Sequence, residues 1–189
     1  MKLNLGCGRS KREGYVNIDR REAVQPDLVW DLEITPYPFE DDSVEEIVAH
    51  HVLQRLGQDP AVFLAIIKEL HRILMPGGTL DIRAPHHRSD LFWDDPTNVR
   101  PINQGVFSLF SKQNCVMFAE NGMANTPLAE YLDIDLEIIS VTNTLHGDWS
   151  RRFGDGELTQ QETEAAVATH ANVVEEVGLV VRKAAAPVN

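Results

Sequence analysis

Gly6-Cys7-Gly8 stands directly after the apolar opening Lys2–Leu5, and an acid, Asp19, stands directly after the apolar stretch that begins at Tyr15. A glycine turn at the end of a strand lets the backbone pass close to a ligand, and the N–H groups that follow attract negative charge. A carboxylate at the tip of the next strand accepts two hydrogen bonds at once, which suits the paired hydroxyls of a ribose. Together these residues read as a nucleotide-type site at the carboxyl edge of a sheet, with adenosine as the favoured ligand. A dinucleotide fingerprint needs a third glycine three residues after the second and an acid about twenty residues on. Position 11 is Lys and Asp19 comes too early, so hydride chemistry on a nicotinamide is weakly supported.

Two histidine pairs, His50-His51 and His86-His87, follow strand-like segments whose ends converge on such a site. Histidine titrates near neutrality and can take a proton from an attacking hydroxyl or ammonium, so His51 and His87 are the candidate general bases. Asp94 and Asp95 could join them as metal ligands. Adjacent residues rarely point the same way, however, and no HxH or HxxxH spacing occurs, so no metal is expected. Structural or surface roles weigh about equally with catalysis for each pair.

The elements that must position these residues alternate strand with helix, the pattern of an α/β fold with a parallel sheet. Strands are expected at Lys2–Leu5, Tyr15–Asp19, Leu28–Trp30, Glu46–Ala49, Thr79–Ala84, Leu136–Val141 and Val173–Lys183. Residues 59–74 form the clearest helix: Asp59 suits the N-cap, Pro60 the first position, and Phe63, Ile66, Ile67, Leu70, Ile73 and Leu74 recur at helical spacing. A helix is also expected over 159–170. Residues 86–131 lack a clean period and read as an irregular, partly helical insertion on the substrate side, and 146–156 read as a loop. The link between the first two strands is short, because residues 9–14 leave room for only one or two helical turns where a parallel crossover takes a dozen residues or more.

A chain of 189 residues with 43% apolar and 24% charged residues fits one soluble domain. No apolar run is long enough to span a bilayer, and the start shows no signal-peptide pattern, so the expected compartment is the cytoplasm. Cys7 and Cys115 fall outside any CxxC spacing and read as free thiols. The formal charge of −12 disfavours a nucleic-acid partner, whose affinity comes largely from Lys and Arg on phosphates. Arg9, Lys11, Arg12, Arg20 and Arg21, and further on Arg151 and Arg152, are local exceptions. Such runs ordinarily form solvated surface, with a carboxylate or phosphate contact as the alternative.

Four blocks together resemble the small class I S-adenosylmethionine-dependent methyltransferases of the methyltransferase-11 type. They are Leu3-Asn4-Leu5-Gly6-Cys7-Gly8, Gly14-Tyr15-Val16-Asn17-Ile18-Asp19, Asp31-Leu32-Glu33 followed by Pro38 to Val44, and Glu69 to Gly78. The resemblance implies a Rossmann-like sheet of seven mostly parallel strands, the last antiparallel, with helices on both faces. It implies S-adenosyl-L-methionine as cofactor, with the backbone of Gly6, Cys7 and Gly8 around the methionyl part, Asp19 on the ribose, and Asp31 with Leu32 on the adenine edge. Leu5, Arg20 and His50 complete the implied cofactor contacts. Gly77-Gly78 is a structural turn even within the family.

Related sequences usually carry an acid and a histidine where Gln54 and Arg55 stand, and a histidine where Asn98 stands, so this chain departs from the pattern near the expected chemistry. Methyl transfer to a small-molecule acceptor is the leading reading, with the insertion 86–131 and the Trp149 loop shaping the acceptor pocket. A non-catalytic binder of the same cofactor, an aminopropyl transferase and a nicotinamide dehydrogenase are the alternatives. The acceptor and the oligomeric state are not legible in the sequence.

Overall fold

The computed structural model describes residues 1–185. Its strands are β1 (Lys2–Leu5), β2 (Val16–Asp19), β3 (Leu28–Val29), β4 (Val44–His50), β5 (Leu74–Pro85), β6 (Leu136–Leu145) and β7 (Val174–Lys183). They form one sheet in the order β3-β2-β1-β4-β5-β7-β6. The first five pair in parallel, and β7 lies between β5 and β6, antiparallel to both. This is the expected sheet, and it brings Leu5, Asp19, Val29 and His50 to one edge.

The sheet's core face follows from strand alternation. Leu3, Leu5, Ile47, Ala49, Leu80, Ile82, Leu179 and Val181 are buried in a single apolar cluster. Over it lies α1 (Pro60–Ile73), whose N-cap Asp59 accepts from Ala61 N–H at 2.8 Å and whose Phe63, Ile66, Ile67, Leu70 and Ile73 are buried. The helix runs straight into β5. The expected stop at Met75–Gly78 is an irregularity inside that strand, with Gly77 at φ 80° and a register shift opposite Val44–Glu46.

The short first crossover contains no helix at all. Helical cover of the second face is thin here, because residues 9–15 lie over β1 and β4 as an extended loop. That loop is tied down by a buried amide pair. Asn4 Nδ2 donates to Ser10 O at 3.0 Å and to Asn17 Oδ1 at 2.9 Å, and Arg12 N–H donates to the same Asn17 oxygen at 2.8 Å. Tyr15 Oη donates to Glu46 Oε1 at 2.8 Å on the same face.

The insertion resolves into α2 (Asp90–Trp93), α3 (Gln104–Ser108), α4 (Lys112–Glu120) and α5 (Leu128–Leu132). The segment read as a loop over 146–156 is instead a helix, α6 (Gly147–Gly154), followed by α7 (Gln160–Thr169), which carries a full capping box between Thr159 and Glu162. No residue of α6 is buried, and its Arg151 bridges Asp155 and Glu157 at 3.3 and 3.2 Å. Its only large apolar residues, Trp149 and Phe153, stand four apart, too short a run to mark a helix in the sequence. Among the described residues no helix is long and apolar enough to cross a membrane.

Candidate functional site

At the carboxyl edge, the ends of β1, β2 and β4 and the segment after β3 surround a cavity of about 660 Å³. That lies within the usual size of small-molecule sites. Its floor is the glycine turn. Gly6 and Gly8 have φ of 58° and 51°, a region that other residues rarely adopt. A Cβ on Gly6 would sit 2.6 Å from Val52 Cγ2, so glycine is also required for the turn to pass the segment leaving β4. Leu5, an expected cofactor contact, is buried in the core and does not line the cavity. Burial pushes the Cys7 thiol above its ordinary pKa, with Asp19 adding to the effect, so Cys7 remains a protonated packing residue.

Asp19 is buried and already has two partners. Its Oδ2 accepts from Gly8 N–H at 2.9 Å and its Oδ1 from Arg21 N–H at 2.8 Å. The carboxylate therefore clamps the glycine turn to the end of β2, while a carboxylate's further lone pairs remain free for a ligand. Asp31 Oδ1 accepts from Glu33 N–H at 3.0 Å, and Glu33 Oε1 accepts from Gly57 N–H at 2.7 Å. Tyr37 Oη donates to Leu32 O at 2.8 Å, which fixes the peptide that faces the cavity. Gly6, Cys7, Gly8, Asp19, Arg20, Asp31, Leu32, His50 and His51 all line it.

The two histidine pairs differ. His51 has φ 55° and its N–H donates to Arg83 O at 2.8 Å, so backbone geometry turns its half-exposed ring to the cavity rim. There Nε2 meets Glu176 Oε2 at 2.8 Å, and Glu176 Oε1 lies 3.8 Å from Arg83 Nη1. His50 Nε2 lies 3.1 Å from Asp81 Oδ2, and its Nδ1 is 3.3 Å from Arg12 Nη2. Burial holds the pKa of His50 below the usual value, only partly offset by Asp81.

The His86 and His87 rings lie 4.3 Å apart, tilted by 41°, and do not line the cavity. The chain leaves β5 toward β7, with His86 N–H on Glu175 O and Arg88 O accepting from Asn172 N–H. Burial pushes His86 down to about 4 and His87 downward as well. Among the described residues no three His, Cys, Asp or Glu side chains converge as a metal site.

The insertion contributes Thr97 to the cavity wall, and its aromatic residues are placed elsewhere. Phe107 and Phe110 pack edge to face in the core, and Trp149 of α6 lies beside Arg152 of the same helix and His170 at the end of α7. Arg55 does line the cavity, paired with Asp95 at 2.8 Å. Asn98 donates to Phe92 O at 2.8 Å inside the insertion. Gln54 is fully buried, and neither amide atom has a hydrogen-bond partner among the described residues. An acid at that position would be a buried charge without a counterion, so the neutral amide is the compatible residue in this chain.

Residues 12–82 match the family model described as a methyltransferase domain. The match covers less than half of the chain. The matched span starts just past the glycine turn and ends inside β5, and the cofactor such a domain implies is S-adenosylmethionine. No curated protein matches the sequence. Among solved structures, a SAM dependent methyltransferase from Archaeoglobus fulgidus is 16% identical with a TM-score of 0.59, covering 96% of this chain and 85% of that one. A SAM-dependent methyltransferase from Methanosarcina mazei is 16% identical with a TM-score of 0.53, covering 98% and 92%. The cyclase SpnF is 17% identical with a TM-score of 0.52, covering 98% and 75%. At these identities the likeness establishes the methyltransferase fold, and the cyclase shows that the fold by itself does not fix a reaction.

Proposed function

We propose that the protein transfers the methyl group of S-adenosylmethionine to an oxygen, nitrogen or carbon nucleophile of a small molecule. The observation that carries this reading is the convergence of the glycine turn, Asp19 and Asp31-Leu32 on one cavity of suitable size. The residues fit the cofactor. Gly6 and Gly8 open the backbone to the methionyl part, with Cys7 filling the turn. Asp19 retains acceptor capacity for the ribose hydroxyls, Arg20 flanks the adenosine side, and Asp31 and Leu32 border the adenine edge. His50 stands at the opposite end of the cavity, toward the methionyl group.

When bound, S-adenosylmethionine supplies a methyl group already activated as a leaving-group sulfonium. The chain's own contribution is then positioning, electrostatics and, for a protonated nucleophile, a base. His51 is that base in our reading. With the Glu176 carboxylate at Nε2, the ring proton sits on that nitrogen, and Nδ1 is left to accept the proton of an incoming hydroxyl or ammonium. Glu176 holds the ring's orientation and stabilises the imidazolium once the proton has moved. His87, off the cavity, has no part in this scheme.

Calorimetric titration of the purified protein with S-adenosylmethionine, S-adenosylhomocysteine and NAD tests the reading. Micromolar binding of the first two and none of NAD is the expected result. Preference for NAD, or no binding of either sulfur compound, overturns it.

A further inference from the structure

The chain is strongly acidic, at a formal charge of −12, yet five arginines line its main cavity: Arg9, Arg12, Arg20, Arg21 and Arg55. The carboxylates that line it, Asp19, Asp31 and Glu33, each accept from backbone N–H groups. Arg21 lies 3.7 Å from Asp19 and Arg55 2.8 Å from Asp95. Arg9, Arg12 and Arg20 pair with no carboxylate among the described residues. Arg20 belongs to the adenosine side, where it also borders a shallow recess with Trp30 and Ile34.

Arg9 and Arg12 stand on the other flank, in the loop that replaces a crossover helix. Arg12 is held there by neutral partners. Its Nη2 faces Nδ1 of His50 at 3.3 Å, and its guanidinium lies 5.8 Å from the centre of the Tyr15 ring. His50 is positioned in turn by Asp81. The guanidinium thus lines the cavity without an ion pair, with Glu46 beyond Tyr15 the carboxylate that feels its charge. The cofactor offers these arginines one anionic group at most, because S-adenosylmethionine carries a sulfonium, an ammonium and a single carboxylate, and so enters with net positive charge. Arginine matches carboxylate and phosphate oxygens in fork geometry, and an anion bound there would also offset the sulfonium.

We propose that the methyl acceptor is an anion, whose carboxylate or phosphate is received by Arg12 with Arg9 beside His50 and His51. This inference rests on the methyl-transfer reading above. It also limits the acceptors: a cationic amine without an acidic group would meet like charge at this flank.

Inorganic phosphate serves as the probe, titrated at low ionic strength into three forms of the protein. These are the free protein, the protein saturated with S-adenosylhomocysteine, and the protein saturated with methylthioadenosine, which lacks the amino-acid carboxylate. The expected result is phosphate binding to the S-adenosylhomocysteine-loaded form, weakened at least about ten-fold by Arg12→Gln and also weakened by Arg9→Gln. Both variants are at exposed positions and should keep the melting temperature and the S-adenosylhomocysteine affinity of the parent. Phosphate binding to the free and methylthioadenosine-loaded forms but not to the S-adenosylhomocysteine-loaded form would assign the arginines to the cofactor's own carboxylate and overturn the proposal. So would the absence of phosphate binding in every form, or binding indifferent to both substitutions. If S-adenosylhomocysteine itself fails to bind, the methyl-transfer reading falls and takes this inference with it; failure of phosphate alone removes only the anionic acceptor.

Discussion

Asp19 clamps the glycine turn and, in the proposed function, also receives the ribose; a substitution that keeps its shape separates the two roles. In Asp19→Asn one carboxylate oxygen becomes an NH2 that must face either Gly8 N–H or Arg21 N–H, now held at 2.9 and 2.8 Å. One charge-assisted hydrogen bond is lost and a donor is left facing a donor in a site that is only 8% exposed. The cost is about 1.5–3 kcal/mol. For a chain of this size each kcal/mol lowers the melting temperature by about 2–4 °C, so the ligand-free variant should melt about 3–12 °C below the parent. Asp19→Ala strands both N–H groups and should fall about twice as far. Calorimetry on the same samples reads the second duty. With a single acceptor oxygen left for the ribose, S-adenosylhomocysteine affinity should drop about 10- to 100-fold beyond any effect of partial unfolding. A ligand-free melting temperature within about 1 °C of the parent would refute the clamp. A lowered melting temperature with undiminished affinity would keep the clamp and refute the ribose contact.

Two stability predictions concern residues away from the ligand. Gly57 has φ 64°, and a Cβ there would lie 2.5 Å from the backbone nitrogen of Phe63 in α1. Gly57→Ala should therefore cost about 2–5 kcal/mol from left-handed strain and overpacking combined, and a thermal melt close to that of the parent would contradict the placement of that turn. Burial pushes His71 down to about 4, with Lys183 as the next cause, and the ring accepts from Asp135 N–H through Nε2 at 3.1 Å. The folded protein thus keeps this ring neutral while the unfolded chain takes up a proton near pH 6.5, so stability should fall as pH drops from about 6.5 to about 4 and be flat above that window. Allowing for the ring's partial exposure, the loss is about 1–2 kcal/mol. Urea midpoints of His71→Gln should decline less steeply across the window than those of the parent, and parallel curves would count against the assignment.

The sequence made the first half legible because each element there has a local signature. The α1 period, its Asp59-Pro60 start and the glycine turn are set by residues within a few positions of one another. The same holds for Asp19, which ends an apolar strand. What stayed hidden depends on distance along the chain. Glu176 is one of two adjacent acids at the start of β7, and only the pairing of β7 with β5 carries it to His51. His87 looked equivalent to His51 because both follow strands, but Arg88 and Asn172 draw the chain after β5 sideways toward β7. The arginines of residues 9–12 looked like solvated surface, and it is the missing crossover helix that lays their loop against the cavity. In α6, surface ion pairs stand in for a buried stripe, and a single apolar pair, Trp149 and Phe153, is too little for periodicity to mark.

The position of β7 has a consequence for how the molecule comes into being. On the ribosome it is the last of the described strands to emerge, yet it is the piece that joins β5 to β6 and brings Glu176 to His51. Until residue 183 has left the exit tunnel, β5 presents an open edge about as long as any in the sheet, and β6 has no partner in it. Long-range pairing of this kind is slow to form and exposes edges that aggregate. A nascent or truncated chain lacking β7 still contains every residue of the glycine turn and the Asp19 clamp, since both lie in the first twenty-one residues. It would lack the carboxylate that meets His51, the base of the proposed reaction. The residues proposed to hold the cofactor and the carboxylate proposed to orient the base are therefore made at opposite ends of synthesis, so the base can be oriented only after the rest of the cavity has been made.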